Sequence, residues 1–218
     1  MDPEFWHQRW AEGRIGFHQA QVNALLEQHW HALGLAPGST VLVPLAGKSL
    51  DMAWLAGRGH KVLGVELSDA ACAAFFEENG LVPGIDSHGR FLRRSAGGVT
   101  LLAGDIFDLA DADLAGVDAA YDRAALIALP PDLRRRYASE LYGRLPQRCQ
   151  VLLVTLEYPP DQKQGPPFSV DADEVAALFA RDWRIELLER RDILHREPGF
   201  SAEGVTELHT GAWHLRRR

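Results

Sequence analysis

Thr40-Val41-Leu42-Val43-Pro44-Leu45, the loop Ala46-Gly47-Lys48-Ser49, the stretch Leu50-Asp51-Met52-Ala53-Trp54-Leu55-Ala56 and the run Lys61-Val62-Leu63-Gly64-Val65-Glu66 decide the fold of this chain. The two outer runs are short and apolar, as buried strands are, while the middle one has helical spacing and is closed by Gly57 and Gly59. The turn Pro37-Gly38-Ser39 introduces the first strand. Together they form a βαβ unit of the length that a parallel pair with a right-handed crossover requires.

Outward from that unit the alternation continues. Val99–Leu102, Ala119–Asp122 and Val151–Leu156 are three further strands, the last almost wholly apolar, as a central strand should be. Helices fit between them at Ala70–Asn79 and at Leu133–Arg144, the latter begun by Pro130-Pro131-Asp132. The last third changes character. A helix at Asp171–Ala180 is followed by Trp183–Leu188 and Val205–Leu215, two strands with no good helix between them, which suggests an antiparallel edge pair. The pattern therefore predicts an α/β fold: a mixed seven-stranded sheet flanked by helices, in one domain over 1–218.

Residues 1–36 precede this core (37–218) and are rich in aromatics. Phe5, Trp6 and Trp10 share a helical face, and a second helix over Val22–Leu33 carries Leu25, Leu26, His29 and Trp30. Two readings stand: both helices pack on the sheet, or the segment is a helical lid over a ligand.

Composition narrows the function classes. The 218 residues are 46% apolar, enough for one substantial core, and 23 basic against 30 acidic residues give a net charge of −7. Nucleic acid is a poor partner for such a chain, and the runs Arg134-Arg135-Arg136 and Arg216-Arg217-Arg218 read as solvated faces. No stretch approaches the ~20 apolar residues of a membrane span, and Met1-Asp2-Pro3-Glu4 is acidic where a signal peptide is basic. With only Cys72 and Cys149, a disulfide framework is excluded; the expectation is a cytoplasmic monomer. None of the nine histidines falls in an H-E-x-x-H, no C-x-x-C occurs and no G-x-S-x-G occurs, so neither a metal site nor a hydrolase serine is expected.

Ligands of open parallel sheets sit beyond the carboxyl ends of the strands, where the strand order reverses. Gly47 lies in the loop after the first strand, where a small residue lets backbone amides approach a ligand, although one glycine is no dinucleotide fingerprint. Glu66 ends the second strand, about 20 residues on, where a carboxylate accepts hydrogen bonds from both hydroxyls of an adenosyl ribose. An NAD-dependent oxidoreductase would use the same device, but with a fuller glycine pattern. Asp105, in Gly104-Asp105-Ile106-Phe107, either accepts from an adenine amino group or caps the next turn. Tyr121-Asp122-Arg123 follows, placing Asp122 and Arg123 at the mouth of the site.

Five parallel strands and an antiparallel pair are the usual layout of S-adenosylmethionine-dependent methyltransferases. The chain resembles one such family in particular. Phe5-Trp6-x-x-x-Trp10, Ile15-Gly16-Phe17-His18-Gln19, Val43-Pro44-Leu45-x-Gly47-Lys48-Ser49-Leu50-Asp51, Gly59-His60-x-Val62-x-Gly64-Val65-Glu66, Tyr121–Leu126 and Gly165-Pro166-Pro167-Phe168 are similar, in order and spacing, to the bacterial thiopurine S-methyltransferases. The resemblance runs from residue 5 to about 170, and nothing is carried over for Glu207–Arg218. It departs at Ala46, where the family usually has cysteine.

The resemblance implies a Rossmann-like class I fold and methyl transfer from S-adenosylmethionine to the sulfur of a thiopurine or aromatic thiol, with selenium and tellurium compounds as related acceptors. It implies Trp10, Leu45, Glu66 and Arg123 as cofactor residues, with Gly47, Asp105 and Ile106 as secondary contacts. Arg123 would also favour a thiolate, and Phe17 and Phe168 would form an apolar slot for a flat acceptor. A module that binds S-adenosylmethionine without turnover is the non-catalytic alternative.

Overall fold

The computed structural model describes residues 3–14 and 18–218. β1 (Thr40–Pro44) and β2 (Lys61–Glu66) are parallel, with Val41 opposite Val62 and Pro44 opposite Val65, and α3 (Leu50–Gly57) makes the crossover. β5 (Val99–Ala103) joins the far side of β2, while β6 (Ala119–Arg123) joins β1 and β7 (Gln150–Glu157) joins β6, all parallel. β9 (His209–Arg217) then runs antiparallel between β7 and β8 (Trp183–Asp192).

Among the described residues the sheet has nine strands, where the sequence pattern predicts seven: β3 (Gly84–His88) and β4 (Phe91–Ala96) form a hairpin that extends the β5 edge, giving the order β3-β4-β5-β2-β1-β6-β7-β9-β8. The hairpin escapes pattern reading because an outer strand need bury little. β3 has no buried residue, and β4 buries only Phe91 and Arg94. Arg94 pairs with Asp69 at the start of α4 (Asp69–Glu78), which ties the hairpin to the body of the sheet. Short helices at Asp111–Leu114 (α5) and Pro198–Ala202 (α8) are also absent from the expected pattern, the second lying between the two C-terminal strands.

Side chains alternate across the sheet and feed two cores. On one face Val41, Val43, Tyr121, Leu152 and Val154 meet Met52 and Leu55 of α3 and Phe75 and Phe76 of α4. Gly64 on β2 lies against this face because any Cβ there would fall 2.4 Å from Leu101 Cδ2 and 3.0 Å from Met52 Sδ. On the other face Leu42, Ala120, Val151 and Leu153 meet Tyr137 of α6 (Pro131–Glu140) and Phe179 of α7 (Ala172–Phe179).

The two N-terminal helices pack in different places. α2 (Ala24–His29) and the 3-10 turn Trp30–Leu33 bury Leu25, Leu26, Trp30 and Leu33 in the first core, so they cover the sheet. α1 (Pro3–Ala11) packs beside α4 and reaches the loop after β1.

Candidate active site

Parallel strands β5, β2, β1, β6 and β7 all end on one edge, and the chain reverses its direction of travel between β1 and β6. Backbone geometry is unusual there. Leu45, just after β1, and Ala124, just after β6, hold φ of 47° and 71°. For side chains other than glycine that region costs about 1–3 kcal/mol each, and such strain gathers at binding sites.

Glu66 is the pivot of this edge. Its carboxylate is 6% exposed and accepts a hydrogen bond from the Gly47 backbone N–H (2.8 Å, on Oε2) and one from the Ser68 N–H (2.8 Å, on Oε1). Burial pushes its pKa up against those backbone donors, which pull it down. Gly47 has φ of +54°, and a Cβ added there would fall 3.2 Å from the Trp10 ring. The α1 indole therefore lies on the loop that Glu66 anchors, bringing Trp10, Gly47 and Glu66 together as the sequence leads one to expect.

Arg123 stands on the same edge, but its neighbours are not the expected ones. Asp122 is not at the mouth of the site: it is fully buried on the opposite face, where it accepts from Tyr137 OH (2.8 Å), Tyr142 OH (2.6 Å) and the Leu126 N–H (3.1 Å). Adjacent residues of a strand point to opposite faces, so Asp122 and Arg123 cannot share a site. Arg123 Nη2 instead donates to Ser49 Oγ and Asp51 Oδ2, both at 3.4 Å.

Asp51, 1% exposed in the first turn of α3, is the residue that sequence reasoning leaves without a role. Tyr121 OH donates to its Oδ2 (3.0 Å) and the Asn23 backbone N–H to its Oδ1 (2.8 Å). A lone carboxylate inside an apolar helical stretch was the available signal. His18 is a second such residue. Burial first, then the cations of Lys48 and Arg123, hold its imidazole below the usual histidine range, with Glu78 and Asp51 pulling the other way.

The remaining expected residues lie along the edge or beyond it. Asp105 accepts from the Phe107 N–H (3.0 Å), so the capping geometry is realised; Ile106 beside it is buried. Phe168 lies in the loop after β7, where its N–H donates to the Ile127 carbonyl (2.7 Å) and Arg134 stands over its ring at 5.6 Å. Phe17, its expected partner, lies outside the described residues.

The fold has solved relatives of distant sequence. A Burkholderia thailandensis 1,6-didemethyltoxoflavin-N1-methyltransferase, determined with bound 1,6-didemethyltoxoflavin and S-adenosylhomocysteine, matches with a TM-score of 0.66 at 18% identity over 99% of this chain and 86% of that one. An S-adenosylmethionine-dependent methyltransferase from Anabaena variabilis matches with a TM-score of 0.66 at 14% identity, over 99% and 95%. The architecture is that of the Rossmann-like S-adenosylmethionine-dependent methyltransferases.

The family described as Thiopurine S-methyltransferase matches residues 1–218. Relatives named Thiopurine S-methyltransferase from Bordetella parapertussis (54% identical over 217 residues, 100% of this chain and 99% of theirs) and Xanthomonas axonopodis pv. citri (53% over 218 residues, both chains in full) agree with it. The chain belongs to the thiopurine S-methyltransferase family of S-adenosylmethionine-dependent methyltransferases. The match includes Glu207–Arg218, from which motif reading carries nothing over.

Proposed function

We propose that this enzyme methylates the sulfur of thiopurines or of other aromatic and heterocyclic thiols, and related selenium or tellurium compounds, by in-line attack of the deprotonated acceptor. The observation that carries this reading is the Glu66–Gly47–Trp10 assembly at the carboxyl ends of β1 and β2, in a chain whose whole length matches the family. Each Glu66 oxygen spends one acceptor position on a backbone amide and keeps capacity for a ribose hydroxyl, so the residues present fit the methyl donor. Leu45, with its strained backbone, Asp105, Ile106 and Arg123 complete the cofactor positions, and α1 with Trp10 acts as the lid.

When bound, S-adenosylmethionine supplies a methyl group already activated on a sulfonium. What the chain must add is alignment and exclusion of water, which hold two reactants in a productive geometry. The Arg123 guanidinium, next to Asp51, favours an anionic acceptor, and Phe168 offers an aromatic face to a planar one. The domain acts as a cytoplasmic monomer with no nucleic-acid partner.

Calorimetric titration with S-adenosylhomocysteine, with NAD as control, tests the cofactor assignment. Wild type should bind the first and not the second, and Glu66→Ala should weaken binding by at least tenfold, about 1.4 kcal/mol. Binding of NAD, or unchanged affinity in Glu66→Ala, would overturn the assignment. A panel of aromatic thiols assayed for methylated product then tests the acceptor class.

A further inference from the structure

The structure assigns to Asp51 a task outside the cofactor and acceptor contacts: we propose that it is the positioning residue through which the N-terminal segment and Arg123 are set together. Three parts of the chain meet on its one buried carboxylate. Oδ1 takes the backbone N–H of Asn23, the residue that caps α2. Oδ2 takes the Tyr121 hydroxyl and the Arg123 guanidinium, both from β6. The carboxylate itself is fixed from α3, whose N-cap Ser49 receives the Asp51 N–H (3.2 Å) and also the Arg123 guanidinium.

The arrangement allows little slack. Asp51 is 1% exposed, so any partner that leaves is not replaced by water, and a buried carboxylate that loses a donor carries the full penalty. Tyr121 is buried too, and burial together with the Asp51 charge keeps its hydroxyl protonated and donating. A shift of the Asn23 amide therefore loads the same oxygens that hold Arg123. Seating of the start of α2 and orientation of Arg123 become one event. The inference rests on the methyltransferase reading given above for Arg123.

The test is a double-mutant cycle on kcat with an aromatic thiol that wild type methylates. Asp51→Asn keeps the shape and removes the charge; Arg123→Ala removes the positioned group. If Asp51 acts through Arg123, each single change lowers kcat by roughly tenfold or more and the double variant is no worse than Arg123→Ala alone, a coupling of the size found between groups in contact. A second pair needs no change at Asp51. Asn23 has φ of −66°, which proline adopts, so Asn23→Pro deletes the N–H that reaches Asp51, while Asn23→Ala keeps it and loses, as the proline variant also does, the side-chain bonds to Leu25 and Gln19.

Asn23→Pro should then be the less stable of the two, since only it takes a donor from the buried carboxylate, and at a temperature where both are folded it should weaken S-adenosylhomocysteine binding and lower kcat several-fold relative to Asn23→Ala. Additive losses in the cycle, or indistinguishable kcat for the two Asn23 variants, would overturn the coupling in an enzyme whose wild type binds and turns over. A wild type that binds no S-adenosylhomocysteine would overturn the methyltransferase site as well.

Discussion

Glu66 sets ligand affinity against stability. Burial pushes its pKa up, so in the ligand-free protein ionisation of Glu66 at neutral pH works against the fold; its favourable contribution is present below the ordinary glutamate pKa of about 4.3 and is lost as pH rises through the raised value. The ionised form, however, is the one with acceptor capacity for two ribose hydroxyls. Acidification should therefore weaken S-adenosylhomocysteine binding from a pH above the usual glutamate range, while the stability of ligand-free wild type improves relative to Glu66→Gln. Calorimetry and urea unfolding at matched pH values read the two trends, and parallel trends would contradict the assignment of the titrating group.

Glu66 was legible because its meaning is local: an acid ending an apolar run, a fixed distance after a glycine loop. Asp51 was not, since its partners Asn23 and Tyr121 lie 28 and 70 positions away and only folding brings them to it. Asp122 shows a different kind of miss. The period-two rule already sends it and Arg123 to opposite faces, and its partners Tyr137 and Tyr142 belong to the far core.

At the scale of elements, one buried polar pair helps to fix the N-terminal segment beside the sheet. Trp30 Nε1–H donates to His60 Nε2 at 3.0 Å, which puts the proton of the neutral imidazole on Nδ1. Burial holds His60 below the usual histidine value, so the stability tied to this pair is present above about pH 6.5 and is lost as pH falls through the lowered value. Protonated His60 would face one donor with another. Trp30→Phe should accordingly cost more at pH 8 than at a pH low enough to protonate His60, the gap narrowing by about 1 kcal/mol as the wild type loses its bond in acid. Denaturant unfolding at the two pH values measures it; a pH-independent cost would assign the whole effect to packing. The same scale explains the missed hairpin. β1 and β7 announce themselves because both faces are buried, whereas β3 is held by pairing to β4, the Arg93–Asp86 ion pair and His88 on Asp113, and leaves Ile85 57% exposed.

For the whole molecule, the two faces of the sheet carry one cysteine each: Cys72 in the core under α3 and α4, Cys149 in the core under α6 and α7. Both are fully buried, and burial pushes the Cys72 thiol far up and the Cys149 thiol up to about 12. The thiolate is the reactive form, so neither should react with a thiol reagent in the native state. Since the cores share every central strand, both should become labelled at one rate, that of global unfolding. Mass spectrometry of peptides around each cysteine reads the two rates separately, and a several-fold difference would mean that one face opens alone.

The position of β9 between β7 and β8 has a consequence for synthesis on the ribosome. Trp183–Asp192 emerges before the strand it pairs with, and the edge of β7 waits for that same strand. For that interval the nascent chain holds two open edges, each able to take the other in a wrong register. The exposed Arg184, Glu186, Arg190 and Asp192 place charge of both signs along β8, a composition that keeps a waiting strand in water instead of against its neighbour's backbone.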